Sequence, residues 1–300
     1  MEEIILFCKS YKKDATRAKL LAASIDRHNR DGILFYLSVP AGEISFFGEL
    51  LKGSRVTLLA DDDILAETAR ATGVEQSVLA GLSPGIAQQL VKAESWRLGL
   101  AQNFLVIDSD SFFIREFHKS DFLHPDGFPY TVIHECKDLL QFAARSGMDR
   151  VKNDYEAERR KFMALFGRTG KLYDFGPTPL LWSSLVWQWF EKEYCAWHTT
   201  NIVKLFSSYP CEILWYGECL LASQAIPLFP VEPLFKVYHY KKQFEEGLRL
   251  GENEKKLAMN FFGIVKQSAW DRELDFGPRK TFFSRLRRWF RGVRPDHAGS

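Results

Sequence analysis

The chain has 300 residues, with 40 Lys and Arg against 38 Asp and Glu for a formal charge of +2, and 46% of it is hydrophobic. That content can build a full core for one large domain or two small ones and excludes a chain that is disordered by default, while the near balance excludes bulk-charge attraction to nucleic acid. Five cysteines without C-x-x-C spacing read as reduced thiols of a cytosolic protein; acids at Glu2 and Glu3 speak against a signal peptide, and no apolar run reaches the about 18 residues of a membrane span.

Ile4-Ile5-Leu6-Phe7-Cys8 predicts a first strand, ending in a polar turn from Lys9 to Asp14. Ala15, Ala18, Leu21, Ala22 and Ile25 then repeat at helical spacing. A second strand from Ile33 to Val39 stops at Pro40, a short helix passes through Phe46, Phe47, Leu50 and Leu51, and a third strand, Arg55 to Ala60, closes on Asp61-Asp62-Asp63. Strands alternating with helices imply βαβ units and a Rossmann-like α/β fold, a mainly parallel sheet flanked by helices. Ser83 and Pro84 supply a cap and a first-turn proline for a helix running to Leu100, on which Gln88, Lys92 and Trp96 share a face. No Gly-rich phosphate loop occurs, so the charge of a bound diphosphate falls to a metal.

Phe104-Leu105-Val106-Ile107 reads as a buried central strand, with Asp108-Ser109-Asp110 at its C-terminal end, where open α/β sheets place their ligands. Continued alternation sends Asp108 and Asp110 to one side and Ser109 to the other. Two hard carboxylates in one crevice suit Mg²⁺ or Mn²⁺ completed by phosphate and water; the alternative is a pair that solvates a strand end or caps a turn. Phe112 to Ile114 and Tyr130 to Ile133 are expected to continue the sheet, His134-Glu135 follows as a second polar constellation, and a charge-dense amphipathic helix covers about 137–168, most of its charges solvated. Gly176-Pro177-Thr178-Pro179 fixes an extended turn that presents Thr178, Trp182 and Ser183 to a cleft, with Trp182 either a platform for a sugar ring or part of the core. Glu218, in the apolar helix Cys211 to Ala222, is either a general base raised by burial or an ion-paired residue. A late strand from Phe235 ends on His239, Lys241 and Lys242.

The helix Lys92-Ala93-Glu94-Ser95-Trp96-Arg97-Leu98-Gly99, the hydrophobic strand, the D-S-D motif and His239-Tyr240-Lys241-Lys242 together resemble the glycosyltransferases of the GT-A type, and more closely a bacterial branch of that superfamily. The resemblance implies a GT-A-like fold and a hexosyltransferase-like enzyme that moves a sugar from a nucleotide-diphosphate sugar to a glycan or lipid-linked acceptor of lipopolysaccharide or capsule type, with Mn²⁺ or Mg²⁺ as cofactor. It implies Ser10, Tyr11 and Asp62 as contacts to ribose and base, and Lys92 and Lys241 as partners of the diphosphate. Asp108, Asp110 and His239 become metal ligands, Asp108 alternatively a ribose contact, and Asp110 and Glu218 the catalytic pair.

Residues 1–270 are then a catalytic domain, 1–115 its nucleotide-binding half and 116–270 its acceptor half, followed by a basic tail over 271–300. In the tail, Phe282, Phe283, Leu286, Trp289, Phe290 and Val293 recur at three- and four-residue steps, and seven basic residues with no acid lie between Arg279 and Arg294. A basic amphipathic helix of this kind is an anchor on anionic lipid, with docking on the protein's own core as the alternative and no nucleic-acid partner expected. The expectation is a metal-dependent glycosyltransferase, cytoplasmic and peripheral on the inner face of a bacterial inner membrane. A phosphatase of the haloacid dehalogenase type, with the first Asp of the motif as nucleophile, and a non-catalytic membrane-associated assembly protein are the alternatives.

Overall fold

A computed structural model describes residues 1–267; the amphipathic tail expected over 271–300 lies outside the described residues. The first part of the chain runs β1 (Glu2–Lys9), α1 (Ala15–His28), β2 (Phe35–Val39), α2 (Ile44–Leu50), β3 (Val56–Ala60), α3 (Asp61–Thr72), α4 (Gln76–Ala80), α5 (Pro84–Glu94), β4 (Ala101–Val106) and β5 (Ser111–Phe113). There follow β6 (Thr131–Val132), α6 (Lys137–Arg145), α7 (Asp149–Leu165), β7 (Leu180–Ser183), α8 (Ser184–Trp189), α9 (Ile202–Ser208) and α10 (Glu212–Ser223). The described residues close with β8 (Pro230–Val231), β9 (Phe235–Tyr238), α11 (Lys241–Arg249), α12 (Glu254–Leu257) and β10 (Gly263–Lys266).

The α/β architecture expected from the alternation is the one that forms. The central sheet has the order β3-β2-β1-β4-β7. β1 pairs in parallel with both β2 and β4, β3 is parallel to β2, and β7 is antiparallel at the edge. Ile4 to Cys8 are all buried because both faces of β1 are covered, which is why this strand reads as a continuous apolar run. Ile5, Phe7, Phe104 and Val106 feed one core, and Ile4, Leu6, Leu105 and Ile107 the other, as strand alternation requires. Each core also draws on residues beyond 116, so helices and strands from the whole described chain cover both faces.

The departures from expectation lie beyond β4. The amide of Ser111 donates to the carbonyl of Asp108 at 3.1 Å. Asp108 to Ser111 is therefore a turn, and strand alternation does not carry through the D-S-D motif. After that turn the chain leaves the central sheet: β5 pairs antiparallel with β10, and β10 parallel with β9, in a separate sheet. Thr131 and Val132 likewise pair with β8 rather than extending the main sheet. The single helix expected over 137–168 is two, split at Gly147, whose φ of +65° L-residues rarely adopt. Asp61, Asp62 and Asp63 form the first turn of α3, where acidic side chains complement the helix dipole. The helix from Ser83 ends at Glu94, tightens into a 3₁₀ turn over Ser95–Leu98 and stops at left-handed Gly99.

α10 is seated by close contact at Gly217, where an added Cβ would lie 2.0 Å from the Phe175 ring. Phe175 is itself buried and cannot swing clear. Gly217→Ala is expected to lower stability by about 1–3 kcal/mol, the range of overpacked cores, measurable as a fall in urea midpoint at unchanged slope; an unchanged midpoint would show that Phe175 yields freely.

Candidate active site

The parallel strands end along one edge, and their last residues are tied together by charge. Lys9, closing β1, places its ammonium 2.7 Å from Asp61, which also accepts the Ser38 hydroxyl at 2.6 Å. Three strand ends are thus held in register by one carboxylate, and burial pushes its pKa up before Lys9 and Ser38 pull it back. Asp62 points the other way, accepting the Ala41 amide at 3.1 Å. Ser10 is buried with no hydrogen-bond partner for its hydroxyl, while the Tyr11 side chain is exposed. Asp14 and Arg17, 3.5 Å apart, follow at the start of α1.

The organising contact lies one strand over. Lys92, in the last turn of α5, is 3% exposed, and its Nζ lies 2.5 Å from Asp108 Oδ1 and 3.2 Å from Glu212 Oε1. Burial works against the ammonium, but the two carboxylates outweigh it and hold its pKa well above the ordinary lysine value. Glu212 reaches this point because its own amide donates to Gln89 at 3.2 Å, which seats the first turn of α10 on α5. The Thr178 hydroxyl donates to the second Asp108 oxygen at 3.2 Å. Beneath the cluster is Cys8, whose thiol is pushed up by burial and then by the fields of Asp108 and Asp110, against Lys92 and Lys9. Asp108, Asp110, Lys9 and Lys92 are therefore all close enough to the end of β1 for Cys8 to feel their charge.

Thr178 is delivered by a second braced segment. His134 Nδ1 accepts the Cys136 amide at 3.1 Å, and its Nε2 donates to the Gly176 carbonyl. Asp174 accepts the Gly176 amide at 3.1 Å and is paired with Arg159 at 2.8 Å. Burial raises the Asp174 carboxyl, yet Arg159, His134 and the Gly176 amide together hold it below the ordinary aspartate range. Arg159 is buried on α7, an exception to the solvated face expected there. The turn Gly176-Pro177-Thr178 is gripped from both sides.

Several expected site residues sit elsewhere. Among the described residues no group of three His, Cys, Asp or Glu side chains is placed to hold a metal, so Asp108, Asp110 and His239 do not form a ligand triad. The reason is topological: β10 lies between β9 and β5, which removes the end of β9 from the D-S-D turn. The residue beside that turn is Lys266, whose amide donates to the Asp110 carbonyl at 3.0 Å. His239 instead lines a cavity with His134, and burial lowers its imidazole pKa. Two carboxylates remain at the turn, a donor set that fits a hard cation taking its other ligands from phosphate and water. Lys241 is the exposed first residue of α11. Glu218 is fully buried with Arg168 nitrogens at 2.5 and 2.6 Å on its two oxygens, the ion-paired alternative rather than the general base. Trp182 and Ser183 face no cleft: Trp182 packs against Trp187 and Tyr216 in the core, and the Ser183 amide donates to the Tyr216 hydroxyl.

Asp174→Asn removes the buried counter-charge of Arg159, leaving it only the half-exposed Glu158 at 3.2 Å, and is expected to lower stability at neutral pH by about 3 kcal/mol, the low end for broken buried pairs. Because the folded-state pKa of Asp174 is depressed below 3.8, its stabilisation is present above that pH and is lost as pH falls through the depressed value. Denaturant midpoints measured down the acid limb should fall more steeply in the wild type than in the variant; parallel curves would contradict the assignment.

Among solved structures, the chain is similar to mouse xyloside xylosyltransferase 1 in its apo form, with a TM-score of 0.46 at 9% identity, covering 92% of this chain and 99% of that one. It is similar to the galactosyltransferase LgtC in complex with donor and acceptor sugar analogs, with a TM-score of 0.45 at 12% identity, covering 92% and 98%. A third likeness is to the apo bifunctional glycosyltransferase WbbM, with a TM-score of 0.48 at 9% identity, covering 87% of this chain and 45% of that one. A sequence comparison with curated proteins finds no match. Residues 3–165 match a family of unknown function, DUF6492, and that stretch, from β1 through the D-S-D turn to the end of α7, is more than half of the chain, which therefore belongs to this family.

Proposed function

We propose that the protein is a metal-dependent glycosyltransferase that takes a sugar from a nucleotide-diphosphate donor bound at the C-terminal edge of the central sheet. The observation that carries this reading is the charge at that edge. Lys92 and Arg17 are the buried cations there; Lys92 is already shared between Asp108 and Glu212, and Arg17 is paired with Asp14. Lys9 is likewise paired with Asp61, and Asp110 adds a further carboxylate. Carboxylates outnumber ammonium groups, so a diphosphate could settle only with an added cation.

Asp108 and Asp110 would hold Mn²⁺ or Mg²⁺, which when bound supplies positive charge to the departing diphosphate. Lys92 fixes one Asp108 oxygen and Thr178 the other, so the carboxylate enters the site oriented rather than free to rotate. The buried Ser10 hydroxyl and Tyr11, which follow β1, would meet ribose and base. Asp62, engaged with the Ala41 amide, would act on the donor through the β2–α2 loop. Lys241 would meet the diphosphate only from the periphery. The acceptor class is a glycan or a lipid-linked saccharide of a bacterial surface polymer. The basic amphipathic pattern between Thr281 and Arg294 supports placement on an anionic cytoplasmic leaflet.

The test is thermal unfolding of the full chain with uridine, guanosine, cytidine and adenosine diphosphates, each with and without Mn²⁺. One nucleotide is expected to stabilise the fold in the presence of metal, by about 2.7 kcal/mol at a hundredfold excess over its dissociation constant, and Asp110→Ala should abolish the shift. Stabilisation by none of the four, or an undiminished shift in Asp110→Ala, would refute the reading.

A further inference from the structure

A cavity of about 620 Å³ opens between the segment Ile133 to Leu139, which runs from the end of β6 into α6, and strand β9. This volume is that of a small-molecule site. One wall is Pro177, and the next residue, Thr178, is the one whose hydroxyl meets Asp108. The cavity and the D-S-D corner are therefore separated by a single braced turn of chain, held by His134 and Asp174.

The lining selects a ligand class. Its charges cancel in place: Lys236 pairs with Asp138 at 3.2 Å, and Glu135 with Lys171 at 2.8 Å. At the rim, Lys137 and Glu232 are exposed and opposite in sign. His134 has both ring nitrogens committed, and burial lowers the His239 imidazole pKa and so disfavours its charged form. Among the described residues that line the cavity, no cation is in excess for a phosphate or a carboxylate. What the cavity offers is uncharged hydrogen bonding from the His239 imidazole and the Asn260 amide beside the apolar faces of Tyr173, Pro233 and Phe261. A pyranose has this double character, a rim of hydroxyls around a face of C–H groups that packs on aromatic rings.

We infer that this cavity is the acceptor pocket and that it takes a neutral saccharide, an assignment that rests on the glycosyltransferase reading only for the word acceptor.

Saturation-transfer NMR on the full-length protein tests this with the methyl glycosides of glucose, galactose, mannose and N-acetylglucosamine, beside glucuronic acid and glucose 6-phosphate. At least one neutral glycoside is expected to receive saturation, and the two anionic sugars none. Asn260→Trp, a change at an exposed rim position that leaves the core untouched, should reduce the signal at least tenfold, and Leu139→Trp should do the same from the opposite wall. Saturation of none of the neutral glycosides, a signal undiminished from wild type in both filled variants, or preference for an anionic sugar would overturn the assignment. Glycoside binding without any nucleotide binding would sink the donor reading while leaving the pocket standing.

Discussion

The site depends on one buried ammonium. Lys92 joins α5 to the end of β4 through Asp108 and to the start of α10 through Glu212, and in a water-poor environment such contacts are far stronger than at a surface. Removing the cation would leave the buried Glu212 carboxylate without its counter-charge and close to Asp108, so the lysine is as much a condition of the local fold as a feature of the site. The same contact fixes where Asp108 can present its remaining lone pairs. It also means that Lys92 does not reach into solvent for an anion, and its influence on a ligand is exerted through the carboxylate that it orients and through its field.

A second brace meets the first at Asp108. Arg159, Asp174 and His134 grip the backbone around Gly176 and so set the position of Thr178, which closes on the other Asp108 oxygen. The two braces come from opposite parts of the chain, α5 and β4 on one side and α7 with the segment before β7 on the other. They meet at a single carboxylate. Between them they hold the turn at Asp108 to Ser111, where the backbone changes direction and the Asp108 carboxylate remains partly open to solvent.

Most of the first hundred residues were legible because the signals there are local. An apolar run bounded by polar turns is a parallel strand, and Ser83-Pro84 is a helix start, whatever surrounds them. The helix that carries Lys92 and the strand that leads to Asp108 were both legible in this way. What was not legible depends on pairing across long separations. That β10 would insert between β9 and β5, taking His239 away from the D-S-D turn, is a choice between sheet partners that no periodicity records. Glu212 and Arg159 are ordinary helix residues in the sequence, and their roles arise from partners 120 and 15 residues away. Glu218 in an apolar helix did signal burial, but whether a buried carboxylate is a base or half of an ion pair is decided by Arg168, 50 residues distant. Trp182 followed the same rule: its neighbours in sequence allowed a platform, and Trp187 and Tyr216 made it core.

The central claim is that the carboxylates gathered around Lys92 receive a nucleoside diphosphate through an added cation. The most direct measurement is a crystal structure of the full chain with Mn²⁺ and the nucleoside diphosphate that stabilises it. The account predicts the metal on Asp108 and Asp110, bridged to the diphosphate oxygens, with Lys92 still against Asp108 and the ribose beside Ser10. A diphosphate bound away from this edge, or a metal held by other side chains with Asp108 and Asp110 unengaged, would contradict it.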